Sequence, residues 1–559
     1  MIQRFLFDNK TSVHLIFLLL VCYFAFFFAN SSFFVNIMEA RNFVTAREMI
    51  EKGNWLVPSM NGELRIAKPP LPTWITALIG SWFGLENLSI LRFPSGIMAS
   101  IMVAFMYLFT LSLNKNRIAA LTNSLILATS FYVLFMGRNG TWDIYCHSFM
   151  LGAIWLLYKA WKSEGNKWLT FTGIGVLWGL SFLSKGPVAF FATLIPFLIA
   201  YAWVYNGKTI LKQWKPLVLA ILIFAVISFW WPIFISLMHA DEAAAIAKLE
   251  SGSWMNRHVR PFYYYWNFPI QSGIWTLVIA SALIFPYAFK RFEAKKEYKF
   301  ALIWTISAVV LLSLLPEKKD RYLLPVLIPS ALLAGQFIQH LHQVFTEKTD
   351  QKWDRILFGI NLGLISIVAF ALPIGVYIFF YQDGQISLVS FILFALLSES
   401  VLVLLIQAWR NRKALHLVVG MVVLMVLAEF FVIPNTASIL NQNPDFKDIR
   451  ESRDLEEIKN LNLYSAGEEG FRIELVWEVG REVNEWNFTE SPNLPEQQAF
   501  VVFSSQLPSK TFPQNILNQV DIEVLDFYDY NRYSKGKHRN KPHFQKYVSI
   551  IRPKINSSK

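Results

Sequence analysis

The chain has 559 residues, 54% of them apolar and 16% aromatic, with mean hydropathy +0.39 and a formal net charge of +12. The apolar residues stand in long blocks, which excludes an ordinary soluble domain. The cations form short clusters between those blocks, which excludes a continuous nucleic-acid face and points to positive-inside topology and contact with anionic lipids.

The runs from Val13 to Phe28, Phe93 to Leu113, Leu217 to Leu237 and Leu415 to Val432 each approach the roughly 20 residues that cross about 30 Å of hydrocarbon. Arg4 and Lys10 precede the first run as in a signal peptide, but no small-x-small cleavage site follows, so a retained first span is expected. About 13 spans are expected, near 12–30, 92–113, 118–137, 145–161, 168–184, 187–206, 216–238, 270–289, 300–315, 322–340, 356–381, 386–408 and 414–434. Cys22 and Cys146 lie in or beside spans and far apart in sequence, so no disulfide framework is expected.

Alternation from a cytoplasmic N-terminus puts Asn114 to Arg117, Lys162 to Lys167, Lys208 to Lys215, Lys290 to Lys299, Glu347 to Arg355 and Arg410 to Lys413 on one face. These loops are short and mostly rich in Lys and Arg, as the positive-inside rule requires. The opposite, external face receives the amphipathic loop 31–90, Arg138 to Asp143, Ser184 to Pro187, Asp241 to Asn267, Pro316 to Arg321 and everything after Pro434. Cations there run against the topology bias and call for a compensating anion.

From Asn441 onward the charges nearly balance, 16 Lys/Arg against 18 Asp/Glu, which leaves 35 against 21 before it. Two regions follow: a membrane region at 1–436 and an external, periplasmic-side α/β region at 437–559. Strands are expected at Ala499 to Phe503, Val520 to Phe527 and Tyr547 to Ile551, and a helix from Asp445 to Leu461. The basic stretch from Arg532 to Lys559 reads as a solvated tail or a contact for anionic head groups.

The chemistry concentrates in the external loops. Glu39, Arg41, Arg47 and Glu48 can share a short interfacial helix, with Arg47 and Glu48 as solvated charges and Glu39 and Arg41 as functional ones. Lys68 precedes Pro69 and Pro70, which stiffen the segment and suit it to anchor a phosphate. Asp143 is either a helix cap or a carboxylate facing substrate, five residues after Arg138. Lys185 stands in Ser184-Lys-Gly-Pro187, where Gly186 allows close backbone approach to an anion. His258 and Arg260 precede the aromatics Tyr263, Tyr264, Tyr265 and Trp266, and Arg321 and Tyr322 head a span after Lys318 and Lys319. Interfacial belting accounts for the tyrosines but not for His258 and Arg260, and snorkelling is the plain reading of the cations at the head of the span. The histidines show no metal-ligand spacing, and neither a Walker A motif nor Gly-x-Ser-x-Gly occurs, so nucleotide hydrolysis is not expected. No cofactor is implied, and dependence on a divalent metal is not readable from the chain.

Five patches in order, Glu39-Ala-Arg41, Gly53-Asn-Trp-Leu to Lys68-Pro-Pro70, Arg138 to Asp143, Leu183-Ser-Lys185-Gly-Pro187 and Arg321-Tyr-Leu-Leu-Pro325, resemble the GT-C class of membrane glycosyltransferases. The match is to the branch of the lipid A aminoarabinose transferases and protein O-mannosyltransferases. The resemblance implies a helical polytopic fold with a small C-terminal α/β domain, and transfer of one sugar from a polyprenyl-phosphate donor to a lipid A-like or other cell-surface acceptor, with inversion. It implies Glu39 and Asp143 as the site carboxylates, and Lys68, Arg41, Arg260, Lys185 and Arg321 around the donor phosphate. Arg138, His258, Tyr263 and Tyr322 complete the expected substrate site. The chain departs from the family pattern at Met38, where an acid is usual, at Asn42 in place of Tyr, and at Ala67 in place of an acid. A protein acceptor and a flippase of lipid-linked sugars are the competing readings. The flippase is disfavoured because the charges gather on one face and no internal repeat appears.

Overall fold

The computed structural model describes residues 11–162, 166–207, 212–467, 470–489, 493–533 and 541–554. Arg4, Lys10, Lys208 and the tail positions 534–540 and 555–559 lie outside the described residues. Contacts divide the chain into two units: Met1–Ser31 with Ile66–Ile75 and Glu86–Pro434, and Ser32–Arg65 with Thr76–Leu85 and Asn435–Lys559.

The first unit is a helical bundle. Among the described residues seven helices are long and apolar enough to cross a membrane: Leu88–Asn114, Trp214–Met238, Lys295–Leu314, Asp320–Glu347, Lys352–Tyr381, Leu388–Asn411 and Ala414–Asn435. Two bent pairs, Arg117–Ala128 with Phe131–Gly137 and Phe262–Ala282 with Phe285–Arg291, raise the number to nine. A helix lies over each of the other expected spans as well, at Thr11–Phe27, Asp143–Lys162, Lys167–Lys185 and Phe190–Tyr205, without meeting the same test of length and composition.

Burial sorts these helices by what surrounds them. Only 22% of the apolar stretch is enclosed in Trp214–Met238, Lys352–Tyr381 and Leu388–Asn411, which turn residues such as Val226, Ile367 and Val389 outward. Side chains of that kind over full span lengths are stable only against hydrocarbon. In Asp320–Glu347 the enclosed share is 89%, and its helical part packs on Arg117–Ala128, Thr276–Ala282, Lys295–Leu314 and Ala414–Phe431. Close approach there depends on Gly335, since a Cβ would fall 1.6 Å from the Asn123 side-chain oxygen. Small residues at such crossings are the usual means of packing helices in lipid.

The second unit is built on a five-stranded mixed sheet. Its strands are β3 (Leu463–Ala466), β4 (Val483–Trp486), β5 (Phe500–Ser504), β6 (Val520–Asp529) and β7 (Gln545–Pro553), in the order β4-β3-β5-β7-β6. The β3 strand runs parallel to both β4 and β5, and β7 runs antiparallel to β5 and β6. Trp486, Phe500, Val502, Phe512 and Ile551 form part of its core. The expected helix from Asp445 to Leu461 is instead two 3-10 turns, Ile449–Asp454 and Glu456–Ile458. Arg481 explains part of the difference: its guanidinium takes the carbonyls of Ile458 at 3.0 Å and Lys459 at 2.6 Å, which frees them from a helical ladder.

The helix Ile37–Lys52 belongs to this unit. It opens with a capping box between Asn36 and Glu39 and closes on Gly53, whose left-handed φ of 71° suits glycine. The solvated reading of Arg47 and Glu48 is overturned, since both are buried. Glu48 accepts Ser59 Oγ at 2.5 Å and the backbone N–H groups of Asn61 and Gly62, so it anchors a short hairpin of β1 (Ser59–Met60) and β2 (Glu63–Leu64). Arg47 donates to the Val476 carbonyl at 3.4 Å. Arg47 thus meets a carbonyl 429 positions away and Glu48 a hairpin 11 to 14 positions away, in place of the water that a surface helix would use.

Candidate active site

Four of the expected site residues come together in the bundle. Asp143 opens the helix Asp143–Lys162 and is 2% exposed. Its Oδ1 receives the ammonium of Lys185, the last residue of Lys167–Lys185. Lys185 Nζ also lies 5.4 Å from the ring centre of Tyr322, and Arg321 is close enough for its charge to act on Asp143. Arg321 and Lys319 each approach that same ring at 5.7 Å. Asp143, Lys185, Arg321 and Tyr322 thus form one constellation, with three cations around one phenol.

Local sequence explains how Lys185 is presented. Gly186 ends its helix at φ 67°, ψ −147°, and donates its N–H to the Phe182 carbonyl. A side chain at that φ is strained, yet a Cβ there would meet no atom within 4 Å. Glycine is required by conformation, and open space lies beside the lysine. Gly186→Ala should therefore cost about 1–3 kcal/mol in strain alone, read as a lower thermal unfolding midpoint in detergent.

The loop that carries Arg321 is held by its neighbour. Arg260 N–H donates to the Pro316 carbonyl, Lys318 N–H donates to the His258 carbonyl, and Val259 bridges Glu317. Lys318 is 4% exposed and gives its ammonium to the carbonyls of Arg260 and Leu315. It therefore does not snorkel but ties the two loops together. Tyr264 donates to Asp320 Oδ1 at 2.7 Å, and the Lys319 N–H donates to the Tyr265 hydroxyl at 2.9 Å. Arg260 lies 5.9 Å from the Tyr264 ring, His258 takes a left-handed φ of 50°, and Tyr263 is 72% exposed.

Other expected residues have their own partners. Lys68 pairs with Glu250 at 2.9 Å. Arg138 is directed into the bundle, where it donates to the carbonyls of Ala25 at 2.7 Å, Phe28 at 2.9 Å and Phe24 at 2.6 Å and pairs with Glu429. It therefore closes the end of the first helix, where a π-turn at Tyr23–Phe27 leaves carbonyls free. Glu39 lies in the other unit, with its carboxylate accepting Asn36 Nδ2 at 2.8 Å, and Arg41 is half-buried on the same helix. The sequence places Lys319, Tyr264 and Tyr265 in its loops but gives no sign of the Tyr264–Asp320 and Lys319–Tyr265 contacts. The signal was present in two loops that were read separately, each with cations beside aromatics.

A family model described as dolichyl-phosphate-mannose-protein mannosyltransferase matches residues 67–231. The chain is 25% identical over 462 residues to the undecaprenyl phosphate-alpha-4-amino-4-deoxy-L-arabinose arabinosyl transferase of Pectobacterium atrosepticum, with 79% of each chain covered. A relative of the same name from Photorhabdus laumondii is 24% identical over 406 residues, with 70% of this chain and 72% of that one covered. The crystal structures of ArnT from Cupriavidus metallidurans, in the apo state and bound to undecaprenyl phosphate, both match with a TM-score of 0.66 at 16% identity. They cover 96% of this chain and 97% of that one. At that identity the likeness is one of fold. In sequence and in fold, the chain is thus related to the GT-C membrane glycosyltransferases of the lipid A aminoarabinose transferase and protein O-mannosyltransferase type.

Proposed function

We propose that the protein transfers a single sugar from a polyprenyl-phosphate donor to a lipid A-like glycolipid at the outer face of the inner membrane. The observation that carries this reading is the cluster of Lys185, Arg321 and Lys319 about Tyr322, beside the carboxylate of Asp143. Cations there suit a phosphate, and relatives named for an undecaprenyl-phosphate sugar cover most of the chain. The orientation that goes with it has thirteen spans, a cytoplasmic N-terminus, a membrane region at 1–436 and an external region at 437–559. The basic loops between spans support it.

In the proposed reaction the acceptor oxygen attacks the anomeric carbon, and the bond from that carbon to the phosphate oxygen breaks. The electron pair leaves with the phosphate, which gains charge as it departs. Lys185 and Arg321, with Lys68 and Arg260, stabilise that developing charge more than they stabilise the bound diester, which is what lowers a barrier. One displacement inverts the anomeric centre. Asp143 is the base for a hydroxyl acceptor, although a carboxylate clasped by Lys185 is a weak one. The donor phosphate competes for Lys185, and Asp143 is then free to take the acceptor's proton. Glu39, engaged in its cap, is proposed to orient the acceptor.

The test is mass spectrometry of envelope glycolipids with and without the protein, paired with turnover of a labelled polyprenyl-phosphate sugar in detergent. One added sugar on a glycolipid is expected; turnover without any glycolipid product would overturn the acceptor. The match of residues 67–231 to the protein-mannosyltransferase model favours a protein acceptor as the second reading, and glycosylated peptide would be its product. In the same assay Lys68→Ala should lower turnover at least about tenfold, the loss of one charge-assisted contact. Unchanged turnover would remove Lys68 from the phosphate site.

A further inference from the structure

The sheet-containing unit holds a cavity of about 190 Å³ that the transfer reaction does not use, lined in part by Glu474, Tyr530, Arg532, Tyr533, Lys541 and Phe544. It is smaller than the roughly 300–1,000 Å³ of drug-sized sites, so it suits a single ring. Its charge is unbalanced. Arg472 occupies Glu474 at 2.6 Å, and Tyr530 donates to Glu478 at 2.8 Å. Arg532 and Lys541 have no carboxylate within ion-pair distance among the described residues, and Arg532 Nη1 is buried without a hydrogen-bond partner. The wall is also stiff. Asn531 donates to Asp529 Oδ1 at 2.7 Å and accepts the Lys541 N–H at 2.9 Å. Arg532 is braced against aromatic rings, with Cζ 3.0 Å from the centre of Phe34, 4.5 Å from Tyr530 and 5.3 Å from Phe446.

Two features narrow the ligand. Arg532 is held by the Tyr530 hydroxyl and feels the charges of Glu478 and Asp448. Its unpartnered Nη1, with Lys541 on the same wall, still asks for an anion, since a guanidinium N–H gains a charge-assisted bond from phosphate or carboxylate. The rings of Tyr530, Tyr533 and Phe544 ask for an apolar face, which a bare anion lacks and the C–H side of a sugar ring supplies. From this geometry we infer that the cavity is a binding site for one anionic monosaccharide unit, a sugar ring bearing a phosphate or carboxylate. The head group of a glycolipid and a free sugar phosphate share that chemistry. The inference stands apart from the transfer reaction, because binding needs neither donor nor turnover.

The test is saturation-transfer NMR on the full-length protein in detergent micelles, with glucose 6-phosphate as probe and with glucose and inorganic phosphate as controls. Saturation of the sugar ring protons is expected, with an affinity at least about tenfold below wild type in Arg532→Gln, the loss of a charge-assisted contact. Tyr533 is 42% exposed, so Tyr533→Ala removes a ring at little risk to the fold and should weaken saturation as well. Displacement of the probe by a phosphorylated glycolipid would identify a head group as the source, and failure to displace would identify a free sugar phosphate; either supports the cavity. No ring saturation, equal binding in wild type and both variants, or competition by inorganic phosphate as strong as by the sugar phosphate would overturn it.

Discussion

Replacing Lys185 by alanine should abolish measurable sugar transfer and also destabilise the bundle, and the two effects can be separated. Removing one preorganised charge from a developing oxyanion typically costs about 10²–10³ in rate. The same substitution leaves the Asp143 carboxylate buried and unpaired, at about 3–5 kcal/mol. Asp143→Asn combined with Lys185→Met removes both charges at similar volume, so it should regain most of the lost thermal stability in detergent while remaining inactive. Recovery of transfer in that double variant would show the pair to be structural only. Asp143→Asn alone should keep the fold, because a neutral amide can still accept from Lys185, and lose the base. If a phosphate rather than a hydroxyl is the acceptor, no base is needed and this variant should retain its rate, so one substitution also reports on acceptor chemistry.

Arg138→Ala should be the most damaging substitution for stability, with little bearing on chemistry. The side chain satisfies three main-chain carbonyls of the first helix and the Glu429 carboxylate at once. Its loss leaves a carboxylate and carbonyls without partners in a dry interior, again about 3–5 kcal/mol or more. The expected readout is poor accumulation in the membrane and a lowered unfolding midpoint for whatever is recovered. Arg138→Ala with Glu429→Ala should be milder than Arg138→Ala alone, because the stranded charge is gone. A single variant that unfolds like wild type would disprove the tie.

The contrast between Arg138 and Lys185 shows what the sequence could convey. Both are cations at the edge of a span on the expected external face, and both are expected in the substrate site. Only the fold shows that one meets Asp143 and Tyr322 while the other meets the backbone of the first helix. Arg47 departs from its expected solvated state for the same reason, since its carbonyl partner at Val476 lies 429 positions away, whereas Glu48 is buried by a hairpin only 11 to 14 positions on. The seven to nine span-length apolar helices among the described residues were legible because hydropathy is a local property. The strands β5, β6 and β7 were legible through their dense β-branched and aromatic residues. The strands β3 and β4 were not, being four residues each with Ser, Asn or Glu among them. The Asp143–Lys185–Tyr322 constellation was readable only through the resemblance, which set the loops in order before any distance was known.

The enclosed helix Leu324–Glu347 has a consequence for biogenesis. It is the least apolar of the seven span-length helices and buries Gln336 and His340, side chains that sit poorly in oil. Its neighbours were made before it, as with Arg117–Ala128, and after it, as with Ala414–Phe431. Ribosomal synthesis therefore delivers this segment to the bilayer while part of its enclosure is still untranslated. Its polar positions must wait, sheltered by the insertion machinery or by half-built neighbours, until the last span arrives. Assembly of the Asp143, Lys185 and Tyr322 cluster near its head is in that sense a late event, completed by the C-terminal helices rather than by the loops that carry the charges.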